Sequence, residues 1–268
     1  MLRENELPLK YPGSKRWLFK YLKKLNLDLD VGWVSPFCGS CALEFLFGVE
    51  KATLSDINSH LIKCLLWLKS GQGLTYPYQP SREEFYKLRS FFNQIRDTED
   101  ERIGQLFWLV LYSAHRGSCR TNLKGEINSS WGEYKGLPSK PFDKYPAIME
   151  KWSISCSPYE TALANCNKDS ILLLDPPYLN TGKVYGRPSF NLSQTENLLK
   201  LTLDHQGPII ATNSYWSEGL ELYADFGYTI MKAESNQSFH HGKNKEGKAS
   251  ELLAFKNVNL PSQLLDNV

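Results

Sequence analysis

The 268-residue sequence predicts an α/β fold: a parallel sheet with its ligand site at the carboxyl edge, broken by one segment of different character. Three observations carry this. The apolar run Ile171-Leu172-Leu173-Leu174 ends abruptly in Asp175-Pro176-Pro177-Tyr178. Each proline lacks an N–H and fixes its own φ, so a buried strand must stop there, where open sheets bind ligands. A strand–loop–helix–strand series runs from Gly32 to Asp56. Finally, strand–helix alternation ceases from Tyr76 to about Tyr159 and then resumes.

Taken in order, Leu9 to Lys15 reads as a turn, with Ser14 capping a helix from Lys15 to about Lys24 that has Leu18, Tyr21, Leu22 and Leu25 on one stripe. Gly32–Ser35 is a strand, Pro36-Phe37-Cys38-Gly39-Ser40-Cys41 a small-residue loop, and Ala42–Phe47 an apolar helix. Ala52–Ser55 is a second strand ending in Asp56, an acid placed to take a ribose diol. The G-x-G-x-x-G of dinucleotide enzymes is missing, which favours an adenosine-containing cofactor other than NAD.

Residues 59–69 form a helix closed by Gly71-Gln72-Gly73. Ser81 and Glu84 make a capping box for a helix carrying Phe85, Leu88, Phe92 and Ile95. An apolar helix over Ile103–Ser113 buries Phe107 and Trp108 as core. The polar stretch His115–Pro146 interleaves basic residues with Trp131, Tyr134, Phe142 and Tyr145, and is the candidate nucleic-acid reader. Trp152–Cys156 reads as a returning strand. Beyond the DPPY strand, Ser193 and Glu196 cap a helix to about His205, and Pro208–Thr212, Tyr228–Met231 and Glu251–Phe255 are strands around a helix at Trp216–Tyr223. His240 and His241 fall in a polar loop, Glu234–Lys248, that suits solvent or phosphate better than a metal.

At 41% hydrophobic and 13% aromatic the chain can bury a substantial core, and its net charge is only +2. Its distribution is uneven: residues 1–24 carry +5 and residues 115–151 carry +3. Two basic stretches in a near-neutral chain suggest one positive face and a polyanionic partner. Of six cysteines, Cys38 and Cys41 form a lone C-x-x-C, too little for a zinc site. No signal-like segment and no spanning apolar run is present, so a soluble, intracellular protein with reduced thiols is expected.

The chemistry on offer at the DPPY edge is specific. The Asp175 carboxylate and the Pro176 carbonyl can both accept from one amino group, and Tyr178 can stack on the heterocycle that bears it. Two acceptors beside an aryl amine draw its lone pair out of conjugation and aim it at an electrophile.

Together these segments resemble the Dam-type DNA adenine-N6 methyltransferases (D12 class), S-adenosylmethionine-dependent enzymes of the class α motif order, over nearly the whole chain. The most specific matches are DPPY itself and Cys119-Arg120-Thr121-Asn122-Leu123-Lys124-Gly125-Glu126-Ile127-Asn128 with Gly132 and Tyr134, which looks like the family's C-R-x-N-x-x-G-x-F-N…G-x-Y. The resemblance implies a Rossmann-like methyltransferase sheet from residues 1–70 and 160–268, and an inserted, mainly helical target-recognition domain with a hairpin from 71–159. It implies that Tyr11, Lys15, Phe37, Gly39, Asp56 and Asp175 bind S-adenosylmethionine, leaving S-adenosylhomocysteine, with no metal. Asp175, Pro176 and Tyr178 would be catalytic, and Lys10, Arg116, Arg120, Asn122, Ser130 and Tyr134 would contact double-stranded DNA, with GATC as the target. A cytoplasmic monomer is expected, since a palindromic site can be modified one strand at a time. A solitary enzyme, a partner of a restriction endonuclease that shares its site and a phage enzyme all stay open.

Departures from the family bear on the target. Ser118 replaces an apolar reader of a thymine methyl, Ser130-Trp131 replaces Pro-Phe, His115-Arg116 replaces a Tyr-Asn pair that probes the helix, and Glu133 replaces a basic residue. In the cofactor loop Ser35 stands for an acid, and Cys41 stands for the second glycine, a change compatible with binding if its φ is negative. The rival readings are an N4-cytosine methyltransferase and a catalytically silent DNA-binding module.

Overall fold

The computed structural model describes residues 1–133, 136, 142–178, 190–235 and 249–265. Its centre is a seven-stranded sheet of β1 (Trp33–Ser35), β2 (Ala52–Asp56), β3 (Trp152–Cys156), β4 (Ile171–Leu174), β5 (Ile209–Ser214), β6 (Thr229–Ser235) and β7 (Ala249–Lys256), in the order β3-β2-β1-β4-β5-β7-β6. The first five strands are mutually parallel, while β7 runs antiparallel to both β5 and β6. The order 3-2-1-4-5 is that of a doubly wound, Rossmann-like sheet, and its switch point lies between β1 and β4.

The tetrapeptide Ile171–Leu174 shows why such a strand reads as unbroken hydrophobicity. Ile171 and Leu173 pack into one core with Trp33, Ile210, Leu253 and Phe255, and Leu172 and Leu174 into the opposite one with Val34, Ile209, Ala211 and Ala254. Both faces of the sheet are covered, so period-two alternation disappears. Helices α1 (Phe19–Leu22), α2 (Ala42–Phe47), α3 (Ser59–Ser70), α4 (Arg82–Ile95), α5 (Ile103–Ser113) and α6 (Tyr145–Ile148) contribute to the first core. Helices α7 (Tyr159–Ala164), α8 (Leu192–Lys200) and α9 (Ser217–Asp225) supply the second, and a short α10 (Ser262–Leu265) follows the last strand.

Between β2 and β3 the chain makes α3, α4, α5 and a small hairpin, with isolated antiparallel bridges at Ala114↔Trp131 and Thr121↔Ile127. The long segment after α5 is therefore folded back on itself. Helix α5 approaches α3 so closely that a Cβ on Gly104 would lie 2.4 Å from the Lys63 carbonyl oxygen. Phe107 and Trp108 are core, as expected. Strand β3 falls inside the 71–159 stretch expected to form a separate recognition domain, yet it pairs along its length with β2 as an edge of the main sheet.

Several local expectations need correcting. Ser14 does not cap the first helix: a 3-10 turn at Arg16–Leu18 leads into α1, with Lys15 at the N-cap position and no side-chain cap bond. Helix α8 starts at Leu192, and its capping box is Asn191 with Gln194 rather than Ser193 with Glu196. Both pairs satisfy the same three-residue spacing; the helix takes the earlier one and buries Thr195, Leu198 and Leu199. Cys41 does not take a negative φ; it is left-handed, with φ 53° and ψ 31°. Tyr134 and the loop residues His240 and His241 lie outside the described residues.

Candidate active site at the carboxyl edge of the sheet

Asp175 is the first residue beyond β4, and its carboxylate is 19% exposed. The Lys15 ammonium lies 2.9 Å from Oδ1, and Thr212 Oγ1 donates to that same oxygen at 2.7 Å. Lys15 also donates to the Gly13 carbonyl at 2.9 Å and stands 4.6 Å over the Tyr178 ring. A lysine 8% exposed is thus held by a carboxylate, a carbonyl and an aromatic face. Burial pushes the Asp175 carboxyl upward from its ordinary pKa, while Lys15 and Thr212 pull it back. Tyr178 is buried, and desolvation, with Asp175 and Glu251 nearby, holds its hydroxyl well above the usual range.

Asp56 ends β2 and organises the neighbouring loop. Its Oδ2 accepts from the Gly39 N–H at 3.3 Å, and its Oδ1 accepts from the Asn58 N–H at 2.8 Å. The Asn58 amide in turn donates to the Tyr11 hydroxyl at 3.1 Å, so the turn before Lys15 is tied to the end of β2. A Cβ built on Gly13 or Gly39 would meet nothing within 4 Å, so open room lies beside both backbones. The rest of the loop is fixed from beneath. Cys38 N–H donates to the Ser55 carbonyl, Cys41 N–H closes a turn onto Cys38, and α2 begins immediately after.

Beneath the loop lies a buried acid that the sequence does not reveal. Trp33 Nε1 donates to Ser35 Oγ at 2.9 Å, and Ser35 Oγ donates to Glu44 Oε1 at 2.6 Å. Glu44 is 1% exposed, and burial raises its pKa to about 7. Ser35 thus touches a carboxylate supplied by α2. Phe37 turns to the other face, stacked on Tyr159 at 5.4 Å and edge-on to Phe190 at 5.9 Å.

The residues expected at DNA form a second group. Lys10 lies 5.5 Å from the Tyr112 ring, and a Cβ on Gly117 would come within 2.7 Å of its Cβ, so Lys10 and Arg116-Gly117 are neighbours. Arg116 is exposed and left-handed, with φ 54° and ψ 25°. Arg120 is exposed, its backbone tied to Ser129 Oγ and to the Asn128 N–H. Ser130 is also exposed, and its carbonyl accepts from His115.

The Asn122 side chain, by contrast, is spent on the hairpin turn. It accepts from the N–H groups of Lys124 and Glu126 and donates to the Glu126 carboxylate at 2.7 Å. Helix α4 and its C-cap residue Arg96 grip this hairpin along one stripe. Arg89 donates to the Ser129 carbonyl at 2.6 Å and Arg96 to the Lys124 carbonyl at 3.1 Å. Asn93 exchanges two hydrogen bonds with the Ile127 backbone, at 2.8 and 2.9 Å.

An adenosine-bearing methyl donor fits this edge: there is a carboxylate for a diol, open space over two glycines, and the Asp175 carboxylate, whose charge suits a cationic sulfur. Among the described residues no group of three or more His, Cys, Asp or Glu could hold a metal ion, and no helix is long and apolar enough to cross a membrane.

Known proteins resemble the chain over most of its length. The family model for D12 class N6 adenine-specific DNA methyltransferases matches residues 11–239. The retron Ec67 DNA adenine methylase of Escherichia coli is 26% identical over 259 residues, 92% of this chain and 90% of that one. The DNA adenine methylase of Salmonella typhi is 26% identical over 271 residues, covering 94% and 96%. The type II methyltransferase M.MjaIII of Methanocaldococcus jannaschii is 26% identical over 277 residues, covering 89% and 95%.

Proposed function

The chain belongs to the D12 class of N6 adenine-specific, S-adenosylmethionine-dependent DNA methyltransferases, and within that activity we propose which residues do the chemistry and which read the DNA. The observation that carries the reading is the Asp175 carboxylate, which Lys15 and Thr212 engage at one oxygen, at the end of β4 where Pro176 follows. S-adenosylmethionine supplies the electrophilic methyl carbon.

The target amine is paired inside the duplex and must leave it, at a cost of a few kcal/mol. Lys10, Arg116 and Arg120 offset part of that cost through DNA contacts, together with Ser130 and, outside the described residues, Tyr134. Asn122 acts on DNA indirectly, by shaping the turn that follows Arg120. At the edge, one amine N–H donates to Asp175 Oδ2, the oxygen left by the Lys15 and Thr212 contacts, and the other donates to the Pro176 carbonyl. The nitrogen lone pair then points out of the ring plane. As the N–C bond forms, the donor would keep the electron pair of the broken C–S bond as S-adenosylhomocysteine, and the N–H given to Asp175 is the proton that this carboxylate takes up. No enzyme nucleophile is needed, so positioning and electrostatics supply the rate.

Asp56 holds the ribose diol, Gly39 and Tyr11 line the adjoining space, and the Phe37 cluster closes its far wall. The target is GATC, and the chain acts as a cytoplasmic monomer on one strand of that palindrome at a time, with or without a restriction endonuclease of the same specificity. Labelled methyl transfer to duplex DNA, followed by digestion to nucleosides, tests the reaction. N6-methyladenine together with protection of GATC from methylation-sensitive cleavage is expected. N4-methylcytosine, or binding without transfer, would overturn the reading.

A further inference from the structure

The carboxylate of Asp175 poses a geometric problem. Its terminal torsion joins sp³ to sp² carbon and is soft, and Lys15 reaches it from the end of a flexible four-carbon stem. One such partner supplies charge but leaves the plane of the carboxylate loosely defined. Strand β5 supplies what is missing. The parallel register Leu172↔Ile209, Leu173↔Ile210, Leu174↔Ala211 brings Thr212 alongside Asp175. Prolines 176 and 177 end β4 there, but β5 runs on to Ser214, held on its other side by Thr212↔Leu253, Asn213↔Leu252 and Ser214↔Glu251. Thr212 is fully buried, its β-branched χ1 is restricted, and its hydroxyl donates to Asp175 Oδ1 at 2.7 Å.

We propose that Thr212 is a positioning residue for methyl transfer: its hydroxyl, acting with the Lys15 ammonium, fixes Asp175 Oδ1 so that Oδ2 and the Pro176 carbonyl face the target amine. This rests on Asp175 being the catalytic acid. The same hydrogen bond helps keep Asp175 ionised. Among the described residues, the groups around it are one cation, Lys15, and Glu251, Glu44, Tyr178 and Tyr223, whose charged forms oppose its own. Removing the hydroxyl therefore raises the Asp175 pKa and moves the acid limb of the kcat–pH profile to higher pH.

Thr212→Val, which keeps the shape and deletes the donor, is the test, with Thr212→Ser as the rescue. A hydrogen bond to a charged group corresponds to a loss of about 10- to 100-fold in kcat in the valine variant, with little change in KM for DNA or methyl donor. The serine variant should recover most of it. A carbon-13 titration of the Asp175 carboxyl in the unliganded protein, assigned with Asp175→Asn, should move upward in the valine variant and return in the serine variant. Should the valine variant not fold, Thr212→Ala carries the same expectation. Wild-type kcat with an unmoved Asp175 titration overturns the proposal, as does a serine variant no better than valine. A wild-type protein that makes no methyladenine overturns the functional reading instead, and the Asp175 titration still decides whether Thr212 governs that carboxylate.

Discussion

The edge of the sheet and the hairpin after α5 are built on opposite plans. At the edge the functional side chains are themselves held: Lys15, Asp175 and Thr212 converge from three parts of the chain, and Asp56, Asn58 and Tyr11 form a second linked set. In the hairpin the backbone is held and key side chains are left to solvent. Arg89, Asn93 and Arg96 clamp main-chain groups, while Arg116, Arg120 and Ser130 stay exposed. Chemistry benefits from groups that need no reorganisation at the moment of reaction. Reading a polymer benefits from arms that reach out from a fixed base. In the proposed reading, changes at Ser118 or Arg116 would re-aim the reader without touching the carboxylate assigned to the chemistry.

Four substitutions probe this contrast. The largest effect is expected at the edge. Asp175→Ala should lower the transfer rate by at least about 10³-fold, several kcal/mol of barrier. DNA affinity measured by fluorescence anisotropy should stay near wild type, and a parallel loss of DNA binding would break the separation of the two regions.

The next concerns the acid beneath the cofactor loop. Glu44 is raised from an ordinary 4.5 to about 7, so in the window between these values the folded protein holds a proton that the unfolded chain has released. The stability from this proton is present below the lower value and lost as pH rises through the upper one. In the unliganded protein, Glu44→Gln should flatten the pH dependence of Tm and gain on wild type above neutrality, by on the order of 3 kcal/mol. Melting curves that shift in parallel for both proteins would contradict this.

In the hairpin, Arg120→Ala should cost about 1–3 kcal/mol of discrimination at one base pair, seen as methylation spreading into related sequences. An unchanged set of methylated sequences would remove Arg120 from the reader. The smallest effect is expected from Asn93→Ala, which strips partners from the Ile127 N–H and C=O. A loss of roughly 1–2 kcal/mol in chemical denaturation should accompany a looser sequence profile, with the maximal rate on the preferred sequence preserved.

Much of the fold could be read ahead because its signals were local. Four aliphatics stopped by two prolines mark β4, and the apolar patterns over Ala42–Phe47 and Ile103–Ser113 match α2 and α5 to the residue. What escaped depended on strand neighbours and on competition between equal local signals. Thr212 acquires meaning only once β5 is known to lie beside β4, in a register that 34 intervening residues do not encode. Glu44 looks like an ordinary helix residue until α2 folds back over Ser35. Ser14 could have capped the first helix, but Lys15 takes the N-cap position, its ammonium directed to Asp175. Asn122 was legible as a motif residue, yet its amide closes its own turn, as asparagine does. Cys41 occupies a left-handed position that glycine would fill without strain, and the buried contacts of α2 hold it there.

The most direct measurement is single-molecule sequencing of duplex DNA treated with S-adenosylmethionine and one of three proteins: wild type, Asp175→Ala or Arg120→Ala. We expect N6-methyladenine within one short motif from the wild type, none from Asp175→Ala, and N6-methyladenine spread over related motifs from Arg120→Ala. Undiminished methylation by Asp175→Ala, or an Arg120→Ala protein that loses methylation while its sequence preference stays intact, would contradict the division between a catalytic edge and a reading hairpin.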